Sequence, residues 1–122
     1  MATKVFISIP MNGRTDEEIL NEMESLKKEL TLRFPTKTFE FIDSFTKDQN
    51  LQDKGRIAML GHSISLMADA DLVFFAKGYE HARGCRIEEQ VAIEYGIQRQ
   101  YFENKNEYYD KSFKHDSTVY WR

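Results

Sequence analysis

The chain has 122 residues, 30% charged and 41% hydrophobic, with a net charge of −3; this is the scale of one domain around one core. A single cysteine excludes a disulfide scaffold and a cysteine-based zinc finger, and it fits a reducing cytoplasm. The mildly acidic, interspersed charge argues against binding of a nucleic-acid polymer, and no apolar run approaches the roughly 18 residues of a membrane span.

In chain order, residues 4–9 form a β-branched and aromatic run closed by Pro10, which predicts a buried strand. No signal-peptide stretch precedes it. Met11 to Arg14 read as a turn, and Thr15 with Glu18 gives a capping box. Ile19, Met23, Leu26 and Leu30 then recur on one helical face, stopped at Phe34-Pro35. Residues 38–42 are a second strand candidate, followed by a polar, turn-rich stretch over 43–55. Ile57, Leu60, Ile64, Met67 and Ala68 form the apolar face of a second helix. The continuous apolar run 72–76 suits an inner parallel strand buried on both sides.

After a loop over 77–83, a third helix begins near Gly84. Ile87, Val91 and Tyr95 mark one apolar face, and the helix ends near Gly96. A short strand follows around residues 97–102. Alternating strands and helices without hairpin signals predict an α/β fold: a flavodoxin- or Rossmann-like three-layer sandwich with a four- to five-stranded parallel sheet. The whole chain, 1–122, reads as a single domain. Residues 103–122 form an aromatic-rich C-terminal extension holding Tyr108, Tyr109, Phe113, Tyr120 and Trp121. Aromatic content of that kind argues for a packed segment, on the chain's own sheet edge or against another subunit.

Ligands of such sheets sit beyond the carboxyl ends of the strands. The loop from Ser8 to Arg14 offers free amides and a helix N-terminus suited to an anion, but lacks dinucleotide-binding and P-loop spacing. Gly13 alternatively serves only the turn. The loop from Gly78 to Glu88 leads from the buried strand into the third helix, with Ala92 and Gly96 at helical spacing behind Glu88. A carboxylate there suits a nucleophile or general base; it equally suits an acid favoured early in a helix by the macrodipole. Glu89, 100° round the helix, reads as solvated. Cys85 beside Arg83 and Arg86 has some thiolate character but no assigned base, which favours a packing role. Arg83 and Arg86 suit either a phosphate or a solvated surface. His62, His81 and His115 show no paired ligand spacing, so no metal is expected. Asp69 and Asp71 bracket the amino end of the buried strand and read as structural.

Three segments together resemble the nucleoside 2-deoxyribosyltransferase-like superfamily, and within it a small branch found in phage and bacterial genomes. They are Phe6-Ile7-Ser8-Ile9-Pro10-Met11-Asn12-Gly13, then Ala68-Asp69-Ala70-Asp71-Leu72-Val73-Phe74-Phe75, then Gly78-Tyr79-x-x-Ala82-Arg83-Gly84-Cys85-Arg86-Ile87-Glu88. The spacing Gly84, Glu88, Ala92, Gly96 is its most specific part, and the resemblance covers roughly residues 4–97. It implies that Glu88 attacks the anomeric carbon of a nucleoside or nucleoside 5′-monophosphate, with release to water or a second base. Pro10, Met11, Asn12, Gly13, Gly78 and Tyr79 would line the pocket, with Arg83 and Gly84 at its mouth. It implies no cofactor, a nucleoside or nucleotide ligand, and a homo-oligomer in which a neighbour completes the pocket. The chain also departs from the superfamily: Ala82 stands where an acid or serine is usual, and Ser63 where an aspartate is usual. His62, Asp43 or Asp48 would have to substitute. Otherwise the domain binds a nucleotide in the same crevice without turning it over.

Overall fold

Apolar side chains on both faces of two neighbouring strands organise the molecule. A computed structural model describes residues 2–45 and 48–103. The aromatic extension after residue 103 lies outside them, as does His115. In chain order the elements are β1 (Thr3–Ser8), α1 (Asp16–Arg33), β2 (Phe39–Phe41), α2 (Gln49–Lys54), α3 (Arg56–Met67), β3 (Leu72–Phe75), a 3₁₀ turn (Tyr79–His81), α4 (Arg83–Glu94) and β4 (Gln98–Tyr101). The four strands form one parallel sheet in the order β2-β1-β3-β4. This is an α/β Rossmann-like fold with the start of flavodoxin-like strand order.

Alternation along β1 and β3 divides the core in two. Val5, Ile7, Ile9, Leu72, Phe74 and Ala76 pack with Ile19, Met23, Leu26 and Leu30 of α1. Phe6, Val73 and Phe75 face the other way, toward Met67 of α3 and Cys85 and Ala92 of α4, with Tyr101 of β4. The sheet is thus a middle layer between α1 and the α3–α4 pair. The expected capping box starts α1: Glu18 N–H donates to Thr15 Oγ1 at 3.1 Å, and Thr15 N–H donates to Glu18 Oε1 at 2.8 Å. At its other end, Arg33 donates to the carbonyls of Tyr101 and Phe102 at 2.6 and 2.5 Å, and its guanidinium lies over the Phe74 ring. That clasp holds the last strand to the α1 side. No helix among the described residues is long and apolar enough to cross a membrane.

Three sequence expectations change. The polar stretch 43–55 contains α2, started by Asp48, whose carboxylate accepts from Asn50 N–H at 2.9 Å; local capping outweighed composition there. On α3, Met67 is the buried member of the predicted apolar face, while Ile57 is 88% exposed and Ala68 is also exposed. Only the last turn of that crossover helix, Leu66 and Met67, joins the core. On α4 the buried face is Cys85, Glu88 and Ala92, not Ile87, Val91 and Tyr95. Tyr95 is 79% exposed. Small side chains at Cys85 and Ala92 let the helix lie close to the sheet, where a tyrosine would hold it off.

Leu30 is fully buried beneath the sheet whereas Leu32 is 76% exposed. Leu30→Ala should cost about 2–5 kcal/mol of unfolding free energy by urea titration. Leu32→Ala should change it by less than about 0.5 kcal/mol.

Candidate active site

Chain direction sets the place of the crevice. From β1 the chain moves outward to β2, while from β3 it moves the opposite way to β4. The connections therefore diverge between β1 and β3, which is where sheets of this kind place a ligand crevice, beyond the carboxyl ends of the strands. Ser8 and Phe75 are register partners at that edge, and Ala76 N–H donates to Ser8 C=O at 2.9 Å. Two glycines shape the loops. Gly13 (φ 76°) and Gly78 (φ 80°) occupy the left-handed region that other residues rarely adopt.

Glu88 reaches this edge from α4. The residue is only 7% exposed, and Ser8 Oγ donates to Glu88 Oε1 at 2.6 Å. That bond is the one hydrogen bond of the Glu88 side chain among the described residues. Burial disfavours the charged form and pushes the Glu88 pKa up to about 7, with the Ser8 hydroxyl pulling against it. The group therefore exchanges its proton near neutrality. Glu88 is thus a buried acid one turn into α4.

Cys85 lies beside this pair and behaves differently. Burial pushes its thiol up to about 12, opposed by the Ser8 hydroxyl and reinforced by the charge of Glu88. A neutral thiol of this kind packs rather than reacts. The thiolate character suggested by Arg83 and Arg86 is overridden by desolvation.

The other candidate residues spread around the crevice. Met11 is half-buried against the α1-side core, while Asn12 and Gly13 are exposed. Pro10 accepts from Arg14 Nη1 at 2.8 Å, and Arg14 also pairs with Glu22 at 2.6 Å, which braces the first loop on α1. Arg83 is exposed, Gly84 half-buried against Leu60 of α3, and Gly78 half-buried. The cap of α4 is Ala82, with no side-chain hydrogen bond to the first-turn amides. Arg86 instead donates to Glu80 C=O at 3.0 Å.

Tyr79 is buried, its ring 5.1 Å from Phe75 and 5.3 Å from Tyr101 by centroid. The ring belongs to the core and is not a free stacking surface. Its hydroxyl donates to Glu89 Oε2 at 3.1 Å, and the Tyr101 hydroxyl donates to the same oxygen at 2.7 Å. Glu89 is therefore a clamp joining α4, the 3₁₀ turn and β4, contrary to the solvated role its position suggested. A reading of the helical wheel alone misses it, because its partners come from elements distant in sequence.

The residues weighed as substitutes for the missing aspartate lie elsewhere. His62 and Ser63 are half-buried on α3, and Asp48 caps α2. Asp43 accepts from Phe45 N–H and, with Ser44, Phe41, Ile42, Ile7, Met23 and Lys27, lines a separate cavity of about 310 Å³ beside β2. Asp71 is tied to the start of β1, exchanging hydrogen bonds with the backbone of Lys4 at 2.9 and 2.8 Å.

The buried carboxylate carries a stability signature. Its folded pKa, about 7, lies above the ordinary glutamate value of 4.5, so the unfolded chain gives up this proton first as pH rises. The wild type should lose stability between pH 4.5 and about 7, by about 3 kcal/mol in total. Glu88→Gln should remove that slope, matching the wild type below pH 4.5 and exceeding it at pH 8 in chemical denaturation. The chain matches no family model, no curated protein and no solved structure.

Proposed function

We propose that the protein is an N-glycoside hydrolase or (deoxy)ribosyltransferase acting on a nucleoside or nucleoside 5′-monophosphate through Glu88. The observation that carries this reading is the buried Glu88 carboxylate, held by one hydrogen bond from Ser8 at the carboxyl edge of β1 and β3. The resemblance of its motif supplies the substrate class. Ser8 fixes one carboxylate oxygen and leaves the other for attack. That oxygen bonds to C1′ as the glycosidic C1′–N bond breaks, and the bonding pair departs on the base nitrogen, which takes up a proton. Water, or the nitrogen of a second base, then attacks C1′ from the opposite face. The incoming nucleophile loses its proton, and Glu88 regains its carboxylate with net retention at C1′.

In this reading Asn12 and Gly13 orient the sugar, Pro10 and Met11 line the base side, and Gly78 lets the second loop approach closely. Arg83 and the uncapped amides around Gly84 suit a 5′-phosphate. Tyr79 acts through the wall of the crevice, since its ring is enclosed. No cofactor takes part. We place this chemistry in a soluble cytoplasmic homo-oligomer.

The second reading is a non-catalytic nucleotide-binding module. It is favoured by Asp43 and Asp48, the acids that would assist the leaving base, standing at the β2 cavity and the α2 cap. Incubation with a panel of nucleosides and nucleotides, read by chromatography for free base, separates the two. Base release that falls more than about 10³-fold in Glu88→Gln supports catalysis. Tight binding without base release from any compound establishes the module instead.

The pH profile carries a further sign. Attack requires the ionised carboxylate, so kcat/KM should rise with pH to a plateau, with a midpoint near 7. Ser8→Ala removes a hydrogen bond that favours the charged form. It should move the midpoint upward by about one pH unit; an unmoved midpoint contradicts the assignment of Ser8.

A further inference from the structure

We propose that the outer face of α3 is a two-fold interface between two copies of this chain. The composition of α3 is unlike that of the other long helices. Over Arg56–Met67 the one full charge is Arg56, whereas α1 carries acids and bases along its length. At 100° per residue, Ile57, Gly61, Ile64 and Ala68 fall within about 60° of one another on the helix surface, with Leu60 and Ser65 on either side. Ile57, Gly61, Ser65 and Ala68 are exposed, Leu60 and Ile64 are half-exposed, and a Cβ at Gly61 would meet nothing within 4 Å. An isoleucine 88% exposed at the head of such a face is an apolar surface with no partner among the described residues.

A second copy fits this face by its own pattern. Antiparallel packing about a two-fold axis between His62 and Ser63 pairs Ile57 with Ala68, Leu60 with Ser65, and Gly61 with Ile64 of the other copy. Each large side chain meets a small one, which is how helices approach closely. The same register sets Arg56, at the head of the helix, against Asp69, just past its tail. Both are exposed, and neither makes an ion pair among the described residues. The symmetry makes this charge match twice, and it also opposes the two helix dipoles favourably. A partner of other composition would gain the apolar contact but not the coincident charge and size matching. A Cβ placed on Gly84 would meet Leu60 Cδ1 at 3.8 Å, so the interface lies next to the first turn of α4, which carries Arg83. The inference does not depend on the proposed activity.

Sedimentation velocity of the full chain over a concentration series tests it. The wild type should reach twice the 14.4 kDa chain mass. Ile57→Glu should raise the dissociation constant more than about tenfold while leaving the far-UV circular dichroism unchanged. Arg56→Asp and Asp69→Arg should each weaken association about threefold to tenfold, and the double reversal should restore it. A monomeric wild type overturns the proposal. So does a dimer indifferent to Ile57→Glu, or a double reversal no tighter than the single ones.

Discussion

The short hydrogen bond from Ser8 to Glu88 is the constraint on which the site depends. It joins the end of an inner strand to a helix that begins 75 residues later, and it does so inside the core. A carboxylate in that position loses most of its water, and among the described residues one hydroxyl compensates it by a hydrogen bond. The fold tolerates the cost because the sheet and α4 are fixed independently. Phe75 and Tyr101 stack, Tyr79 packs tilted against both, and both tyrosine hydroxyls converge on Glu89. Glu89 thus sets the rotation of α4, and that rotation aims the neighbouring Glu88 at Ser8. Two adjacent glutamates differ in role: Glu89 orders the helix, and Glu88 is the buried carboxylate at the end of β1 on which the proposed chemistry rests.

The division explains what could be read from the sequence. β1 and β3 were legible because burial on both faces writes an uninterrupted apolar run. The start of α1 was legible because a capping box is a local signal, complete within four residues. The crevice followed from strand-helix alternation, and Glu88 was placed at its mouth by the Gly84 to Gly96 spacing. The face of α4 was not legible from hydrophobicity: Ile87, Val91 and Tyr95 make the more apolar stripe, yet close packing selected Cys85 and Ala92. Helix α2 was hidden in a polar segment whose one structural signal is the cap at Asp48. Nor does sequence order reveal that Tyr79 and Tyr101 meet at one carboxylate oxygen, because that contact exists only after β4 joins the sheet. The exposure of Ile57 was hidden for the opposite reason. An apolar helical stripe looks the same in sequence whether it covers a core or awaits a partner.

A small α/β domain must build its crevice from few layers. Here α1 braces the first loop through Arg14 and Glu22, and α4 supplies the acid. The α3 side contributes little core beyond Leu66 and Met67. The thinly packed crossover lies next to Gly84, so the proposed interface and the start of α4 lie on the same side of the sheet. Desolvation of Glu88 adds to this tension, because burial disfavours the charged form that the proposed chemistry requires.

The most direct test of the central claim is intact-protein mass spectrometry after incubation with 2′-deoxy-2′-fluoro nucleosides. The fluorine slows release of a glycosyl-enzyme by destabilising positive charge at C1′. The account predicts a mass increase of one fluorinated sugar, localised by peptide mapping to Glu88 and absent in Glu88→Gln. Base release from these compounds with the sugar attached to another residue, or at an equal rate in Glu88→Gln, would contradict it.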